Sequence, residues 1–238
     1  MTLLSFQSGE RFIASSSEAL RKAGITLTVG YDFKVYKELL QDARPDHLVG
    51  LPFDPVAHDL SESNAFWVVG RNSKGEIMHT QAMRMLALKG AKLAEYLRRS
   101  FVEFPPPGVD IDFHRSRYRA GPGSHRIAGD VCYHGEFWVG ATPREFKTAG
   151  LSSLLGRYAF WQAMQHWDPD HIIAFMTNAV VYKGFPARHG YMHTEPGTLR
   201  WFINGQDAPV EGFMAYMDRE DLRFILDMPL SDRSSRAA

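Results

Sequence analysis

The stretch from Asp130 to Met176 leaves this chain few architectures to choose from. DVCYHGEFWV reads as a strand, GATPREFKTA as a turn, GLSSLLGRYAFWQAMQHW as a helix, DPD as a second turn and HIIAFM as a second strand. In the helical segment Leu151, Leu154, Leu155, Tyr158 and Ala159 fall on one stripe at 3.6-residue spacing. Phe160, Ala163, Met164 and Trp167 widen that stripe, so the helix is expected to be buried broadly. The second strand is apolar at every position from Ile172 to Met176, a pattern that suits coverage on both faces, as in a parallel pair. Two parallel strands need a crossover of this length, and such crossovers are right-handed. One strand, helix, strand unit follows, and the rest of the sheet must be built around it.

The remaining text supplies an order of elements. A helix is expected near residues 15 to 23, with Ser15, Ser16 and Ser17 offering caps ahead of EALRKA. ITLTVGYDF alternates as a strand does, and FKVYKELLQDA returns to helical spacing. AFWVVGRNSKGEIMHTQAMRML reads as a β-hairpin turning at Asn72 to Gly75. A helix over KLAEYLRRSFVEF ends at Pro105, Pro106, Pro107 and Gly108. From there to about residue 126 the chain reads as one long irregular loop, a feature usually functional or disordered in a compact domain. No internal repeat is evident, and the chain is read as one domain over 1–238, with a core at about 25–217 and a disordered tail at about 230–238.

Composition narrows the partners. With 45% of 238 residues hydrophobic the chain can bury a sizeable core, yet no run approaches the ~20 apolar residues of a membrane-spanning helix. A soluble protein with no membrane partner is expected. The single cysteine, Cys132, excludes an internal disulfide and fits a reducing cytoplasm. Lys plus Arg equals Asp plus Glu at 27 each, so no overall field draws in polyphosphate, and nucleic acid is not expected as a partner.

The chemistry gathers where the first strand of the unit passes into its helix, at Lys147, Thr148, Ala149, Gly150, Leu151, Ser152, Ser153, Leu154 and Leu155. The first amides of a helix lack intrahelical partners and sit at the positive end of its dipole, which makes this turn a natural anion site. Gly150 and Ser152 leave room for phosphate oxygens to approach the backbone, while Lys147, and Arg144 beside it, add charge. Small residues also open many ordinary helices as caps, and that reading stands beside the phosphate one.

The stretch Lys147-x-x-Gly150-x-Ser152-x-x-Leu155 resembles the acyl-CoA loop of the GNAT superfamily of acyltransferases, in which Arg or Gln stands in place of Lys147 and Gly or Ala in place of Ser152. Asn178 followed by Gly190-Tyr191 is similar to the family's closing segment, and the order of elements resembles the family over roughly residues 25 to 217. The resemblance implies an α/β fold of the GNAT kind: a mixed, mostly antiparallel twisted sheet with a central splayed parallel pair, flanked by helices. It further implies acetyl-CoA or another acyl-CoA as co-substrate, no metal, and backbone contacts from Trp138, Val139 and Gly140 to the pantetheine arm.

Transfer from a thioester to an amine requires a base for the amine, polarisation of the carbonyl and a proton for the leaving thiolate. Glu136, on the strand entering the turn, is the candidate base, and His134, two residues away, would project from the same strand face and act with it. Either side chain could instead be solvated or paired structurally, and as metal ligands the two lack a third. The resemblance makes Tyr182 a candidate acid toward the thiolate, although alignment on Gly190-Tyr191 brings Phe185 or Pro186 nearer that slot. Pro186 opposes a regular helix over 179 to 189. Phe66, Trp67 and Trp138 read as core or pocket-wall aromatics. The acceptor pocket is expected from the early helices and the 104–126 loop, where Arg115, Arg117, Tyr118 and Arg119 either clamp an anionic acceptor or form a solvated run of charge.

The leading expectation is an enzyme moving an acyl group, most simply acetyl, from acyl-CoA to the amine of a small molecule or a protein by direct attack, with a homodimer compatible. Cys132, on a strand that should bury it and without a base partner, argues against an acyl-cysteine intermediate. Two alternatives are an acyl-homoserine lactone synthase, whose N-terminal arginine and tryptophan pattern is not evident here, and a noncatalytic acyl-CoA-binding protein of the same fold.

Overall fold

The computed structural model describes residues 5–140 and 151–228, with side chains from residue 12 onward. Helix α1 (Ser5–Lys22) precedes β1 (Thr26–Gly30), α2 (Phe33–Ala43) and the hairpin β2 (Ala65–Arg71) and β3 (Ile77–Leu86). Next come α3 (Leu93–Ser100), the short edge strand β4 (Arg117–Tyr118), α4 (Pro122–Arg126) and β5 (Val131–Val139). The second half runs α5 (Leu151–His166), β6 (His171–Thr177), α6 (Asn178–Val181), α7 (Phe185–His189), β7 (His193–Trp201), β8 (Val210–Asp218) and α8 (Arg219–Asp227). The expected disordered tail lies outside the described residues.

The strands form one sheet in the order β1-β2-β3-β5-β6-β8-β7-β4. Among the described residues only β5 and β6 run parallel, joined through α5, and every other neighbour is antiparallel. This is the expected α/β architecture, a mixed and mostly antiparallel sheet around one central parallel pair. The central strands alternate between two covered faces. On β2, for example, Ala65, Trp67 and Val69 join the core under α2, whereas Phe66 and Val68 join the core under α1, α5 and α8.

Local chemistry accounts for most element ends. The Asp32 carboxylate caps α2, accepting from the amides of Lys34 at 2.9 Å and Val35 at 3.4 Å. The helix then buries Phe33, Tyr36 and Leu40, one stripe of i, i+3 and i+7, and stops at Arg44, which precedes Pro45. α1 starts earlier than the three serines suggest. Ser15 lies inside it and donates to the carbonyl of Phe12 at 3.0 Å, so this hydroxyl serves the helix interior rather than its cap. Pro186 acts as expected: the segment breaks into α6 and α7 with Gly184 between them at φ 73, and Pro186 sits in the first turn of α7.

The 104–126 loop contains more order than its polar text suggests. Arg117 and Tyr118 pair with Arg200 and Leu199 of β7, Ile111 bridges to Ile203, and Gly121 precedes the short α4. Those partners lie about eighty residues away in the chain, so no local pattern announces them.

Two features of β5 decide where a site can form. Its pairing with β6 covers only Val131 to Tyr133, opposite His171 to Ile173, and β6 then continues with β8 alone. The parallel pair therefore splays apart beyond Tyr133 and Ile173. In the same stretch the ladder with β3 slips: Gly135 faces Ala82 and Trp138 faces Thr80, so Glu136 and Phe137 together oppose Gln81. This is a β-bulge, and Glu136 occupies it at φ 54, a left-handed conformation unusual for a residue other than glycine.

Candidate functional site

The bulge reverses the alternation of side chains along β5. Tyr133 packs on Phe53, on the α2 side, while His134 packs on Phe160 of α5. A regular strand would send Glu136 after His134, but the extra residue returns it to the α2 side with Gly135. The expectation that His134 and Glu136 project from one face is therefore corrected: the sheet lies between them, because a bulge cancels the two-residue period.

The Glu136 side chain is only 6% exposed, and both carboxylate oxygens are occupied. Nε2 of His47 donates to Oε2 at 2.9 Å, and the amide of Gly50 donates to Oε1 at 2.8 Å. The Thr80 hydroxyl donates to the Glu136 carbonyl at 3.1 Å, fixing the backbone of the bulge. Arg44 and Tyr36 also face this carboxylate: burial pulls the Arg44 guanidinium down and Glu136 raises it again, while burial and then Glu136 push the Tyr36 phenol well up. Arg44 lies over the Trp138 ring at 5.4 Å. The result is a held, water-poor carboxylate at the opening of the sheet, an arrangement able to accept a proton.

His134 belongs to a different network. Gln81, the residue opposite the bulge, donates its amide to the carbonyl of Leu155 at 2.8 Å, which leaves its Oε1 to accept from His134 Nε2 at 3.0 Å. His134 Nδ1 therefore accepts from the Tyr191 hydroxyl at 2.8 Å, and the imidazole is a neutral Nε2–H tautomer. Burial pushes it down to about 3, with His79 adding to the effect. His79 is held in the other tautomer, Nδ1 donating to the Trp138 carbonyl at 2.7 Å, and burial takes it to about 4. His189 completes the set around Phe137, its ring centre 4.0 Å from that of the phenylalanine. This side of β5 holds neutral imidazoles in a packed interior.

The remaining sequence candidates separate. Past Tyr133 no residue of β5 pairs with β6, so the strand edge at Trp138, Val139 and Gly140 faces the splay, while the Gly140 amide still bonds Met78 O at 2.9 Å on the β3 side. Lys147, Thr148, Ala149 and Gly150, with Arg144, lie outside the described residues. Leu151 is buried with Leu20, Ile25, Leu154 and Leu155, so it anchors the start of α5. Ser152 shares a 2.9 Å hydrogen bond with His189 Nε2, tying α5 to α7. Asn178, at the end of β6, carries a buried Oδ1 with no hydrogen-bond partner, beside an open pocket of about 380 Å³ that Thr177, Arg200 and Glu211 also line. Tyr182 is 76% exposed and packs edge-on against Phe213, on the α5 side of the sheet and so across it from Glu136.

On the α2 side the splay is walled by rings. Phe104 lies edge-on to both Tyr133 and Phe175, and Phe53 stacks on Tyr133 at 5.6 Å. The buried Arg84 donates to the Pro52 carbonyl at 2.8 Å behind them. Phe66 and Trp67 are buried core residues, as expected, and Trp67 Nε1 donates to the Asp32 carbonyl at 3.0 Å. The 104–126 loop contributes its first residue here, but its arginines lie elsewhere. Arg117 is on β4, four strands from β5, which at about 4.8 Å per strand places it roughly 19 Å away. Arg115 stacks on Phe202 at 4.2 Å. The site residues that the sequence did not reveal are Tyr36, Arg44, His47 and Gly50. His47 and Gly50 reach Glu136 across 89 and 86 residues, and no motif spacing links them.

Cys132 is fully buried, and burial raises its thiol well above the ordinary range. Among the described residues no cluster of three or more His, Cys, Asp or Glu could hold a metal ion, and no helix is long and apolar enough to cross a membrane.

No family model and no curated protein matches the sequence. Among solved structures the chain is similar to an N-acetyltransferase from Staphylococcus aureus Mu50, with 11% identity, 82% of this chain and 98% of that one covered, and a TM-score of 0.44. It is also similar to Arabidopsis thaliana NAA60 in complex with acetyl-CoA, at 11% identity, 82% and 98% coverage and a TM-score of 0.47. A third is FeeM, an N-acyl amino acid synthase from uncultured soil microbes, at 8% identity, 84% and 93% coverage and a TM-score of 0.46. Likenesses of this size add nothing to the site, whose reading rests on the splay of β5 from β6 and the carboxylate in its bulge.

Proposed function

We propose that this chain is an acyl-CoA-dependent N-acyltransferase of the GNAT type, moving an acetyl or other acyl group to an amine. The observation that carries the reading is the coincidence of the splay with the bulge: β5 leaves β6 after Tyr133, and three residues later the strand turns a buried, doubly bonded carboxylate toward the α2 side. In this reading the acyl-CoA lies against the free edge of β5 at Trp138, Val139 and Gly140, with its pyrophosphate at Lys147 to Ser152. The orphaned Oδ1 of Asn178 suits an amide N–H of the pantetheine arm, since a buried acceptor without a donor is otherwise costly.

The acceptor enters on the α2 side, along the wall of Phe53, Phe104 and Tyr133. Its amine attacks the thioester carbonyl directly, Glu136 takes the amine proton as the new C–N bond forms, and the C–S bond then breaks to release CoA as a thiolate that takes a proton from solvent. Backbone amides on the unpaired edge of β5 are available to the carbonyl oxygen. We assign His134 to the packed interior rather than to the reaction, because its two nitrogens are committed to Gln81 and Tyr191.

Calorimetry with acetyl-CoA, followed by thiol release against a panel of amines, tests the reading. Binding with turnover is expected, and absence of CoA binding would refute it. Gly150→Val should abolish binding, and Glu136→Gln should leave binding intact while lowering kcat by about 10²- to 10⁴-fold, the usual contribution of a general base. A second reading, a noncatalytic acyl-CoA-binding protein, is favoured by the placement of Tyr182, whose exposed side chain packs on Phe213 rather than beside Glu136. Binding without turnover on every amine selects it.

A further inference from the structure

The two donors on Glu136 come from one short piece of chain. α2 ends at Ala43, Arg44 leaves the helix, and the amide of His47 bonds the carbonyl of Arg44 at 2.9 Å, turning the chain back toward the sheet. Three residues later Gly50 reaches the carboxylate. A Cβ on Gly50 would stand 2.8 Å from Oε1, so a bulkier residue could not bring its amide this close. The segment is then pinned: Phe53 N bonds the Gly50 carbonyl at 2.8 Å, and the Pro52 carbonyl accepts from the buried Arg84. His47 is thus delivered by a braced loop, and its ring meets a residue whose own backbone is held in the left-handed region.

We infer that His47 is the positioning residue of Glu136, its Nε2–H holding Oε2 while the Gly50 amide holds Oε1, so that the carboxylate stays fixed in one orientation toward the acceptor amine. The inference rests on the acyl-transfer reading above. A carboxylate with a donor on each oxygen keeps one orientation, and a base held within a fraction of an ångström of its reacting geometry avoids losses that reach roughly 100-fold. Because an ionised carboxylate only accepts, the His47 ring carries a proton on Nε2 in this contact. Arg44 and Tyr36 also face Glu136, but neither forms a direct hydrogen bond with its carboxylate among the described contacts.

Two measurements test this, and the first needs no turnover. In ¹⁵N spectra of histidine-labelled protein, the His47 ring should be protonated at Nε2, and its signals should move in Glu136→Gln. Identical His47 signals in the two proteins overturn the inference whether or not the chain transfers acyl groups. In the thiol-release assay, His47→Ala should lower kcat about 10- to 100-fold with KM for acetyl-CoA unchanged. His47→Gln, which keeps an N–H donor, should recover most of that loss. The double variant of His47→Ala and Glu136→Gln should be no slower than Glu136→Gln alone, since one residue acts through the other. Multiplied losses overturn the inference, as does a His47→Gln as slow as His47→Ala when both melt at the wild-type temperature. A wild-type rate in Glu136→Gln instead refutes the base assignment, and with it the catalytic meaning of a contact the spectra would still report.

Discussion

In the first part of β5, Val131, Cys132 and Tyr133 pair on both sides, and opposite them β6 offers Ile172 and Ile173, both fully buried. In the second part, from His134 to Val139, pairing survives only toward β3, and buried polar groups gather along it: His134, Glu136, His79, Thr80 and Gln81. The apolar part is held by packing and by ladder bonds. The open part is held by side-chain hydrogen bonds, each of which has to satisfy a group already removed from water. A strand can therefore leave one neighbour without unravelling while its ladder to the other persists, and here buried polar side chains from β3 reinforce that ladder. The same polar groups make the open part chemically usable.

Acid should break this comparison most strongly. Free imidazoles take a proton near 6.5, whereas burial holds His79 near 4 and His134 near 3 in the folded chain. The unfolded chain then binds more protons across that window, so stability falls as pH drops from about 6.5, by up to about 1.4 kcal/mol per pH unit for each histidine. Urea midpoints between pH 7 and 4 should show this, and His134→Gln should flatten the slope. An unchanged slope would mean that His134 is not buried neutral.

The closed part is tested by Ile173→Ala, which removes a fully buried side chain at the last paired position of β6. It should cost about 2–5 kcal/mol in denaturant unfolding and leave the acid slope as it was. Gly135→Ala probes the boundary between the parts. Its Cβ would stand 2.7 Å from the Phe53 ring, which is itself stacked on Phe33 and Tyr133, so the ring has little room to yield. A loss of about 1–3 kcal/mol is expected, with a lowered acyl-transfer rate if the bulge shifts. Tyr182→Phe should have the smallest effect, within about 0.5 kcal/mol on both stability and kcat/KM, because the side chain is largely solvated. A large drop in rate would return that hydroxyl to the reaction.

Parts of this arrangement are legible along the chain and parts are not. The helix over 151–166, the apolar run of β6 from Ile172 to Met176 and the break at Pro186 follow from residues within a few positions of one another, and they appear where periodicity and proline place them. Glu136 is legible as a carboxylate on the strand before the turn. Its partners are not, because His47 and Gly50 lie in a loop whose text resembles any other. The shared face assigned to His134 and Glu136 fails for a related reason: alternation assumes one residue per pleat, and a bulge is set by how two strands register against each other. The serines expected to cap α1 show the limit of local signals from the other side, since a hydroxyl can serve a helix interior as readily as its start.

By itself, then, the sequence determined the order of the main strands and helices as far as β6, and the one strand, helix, strand unit among them. These are consequences of side-chain period, of turn residues and of the length a crossover needs. Only the tertiary structure decided that β5 parts from β6 after Tyr133, that its bulge turns Glu136 away from His134, and that His47 and Gly50 meet the carboxylate. Those are relations between segments far apart in the chain. They depend on register and packing, which no local pattern encodes.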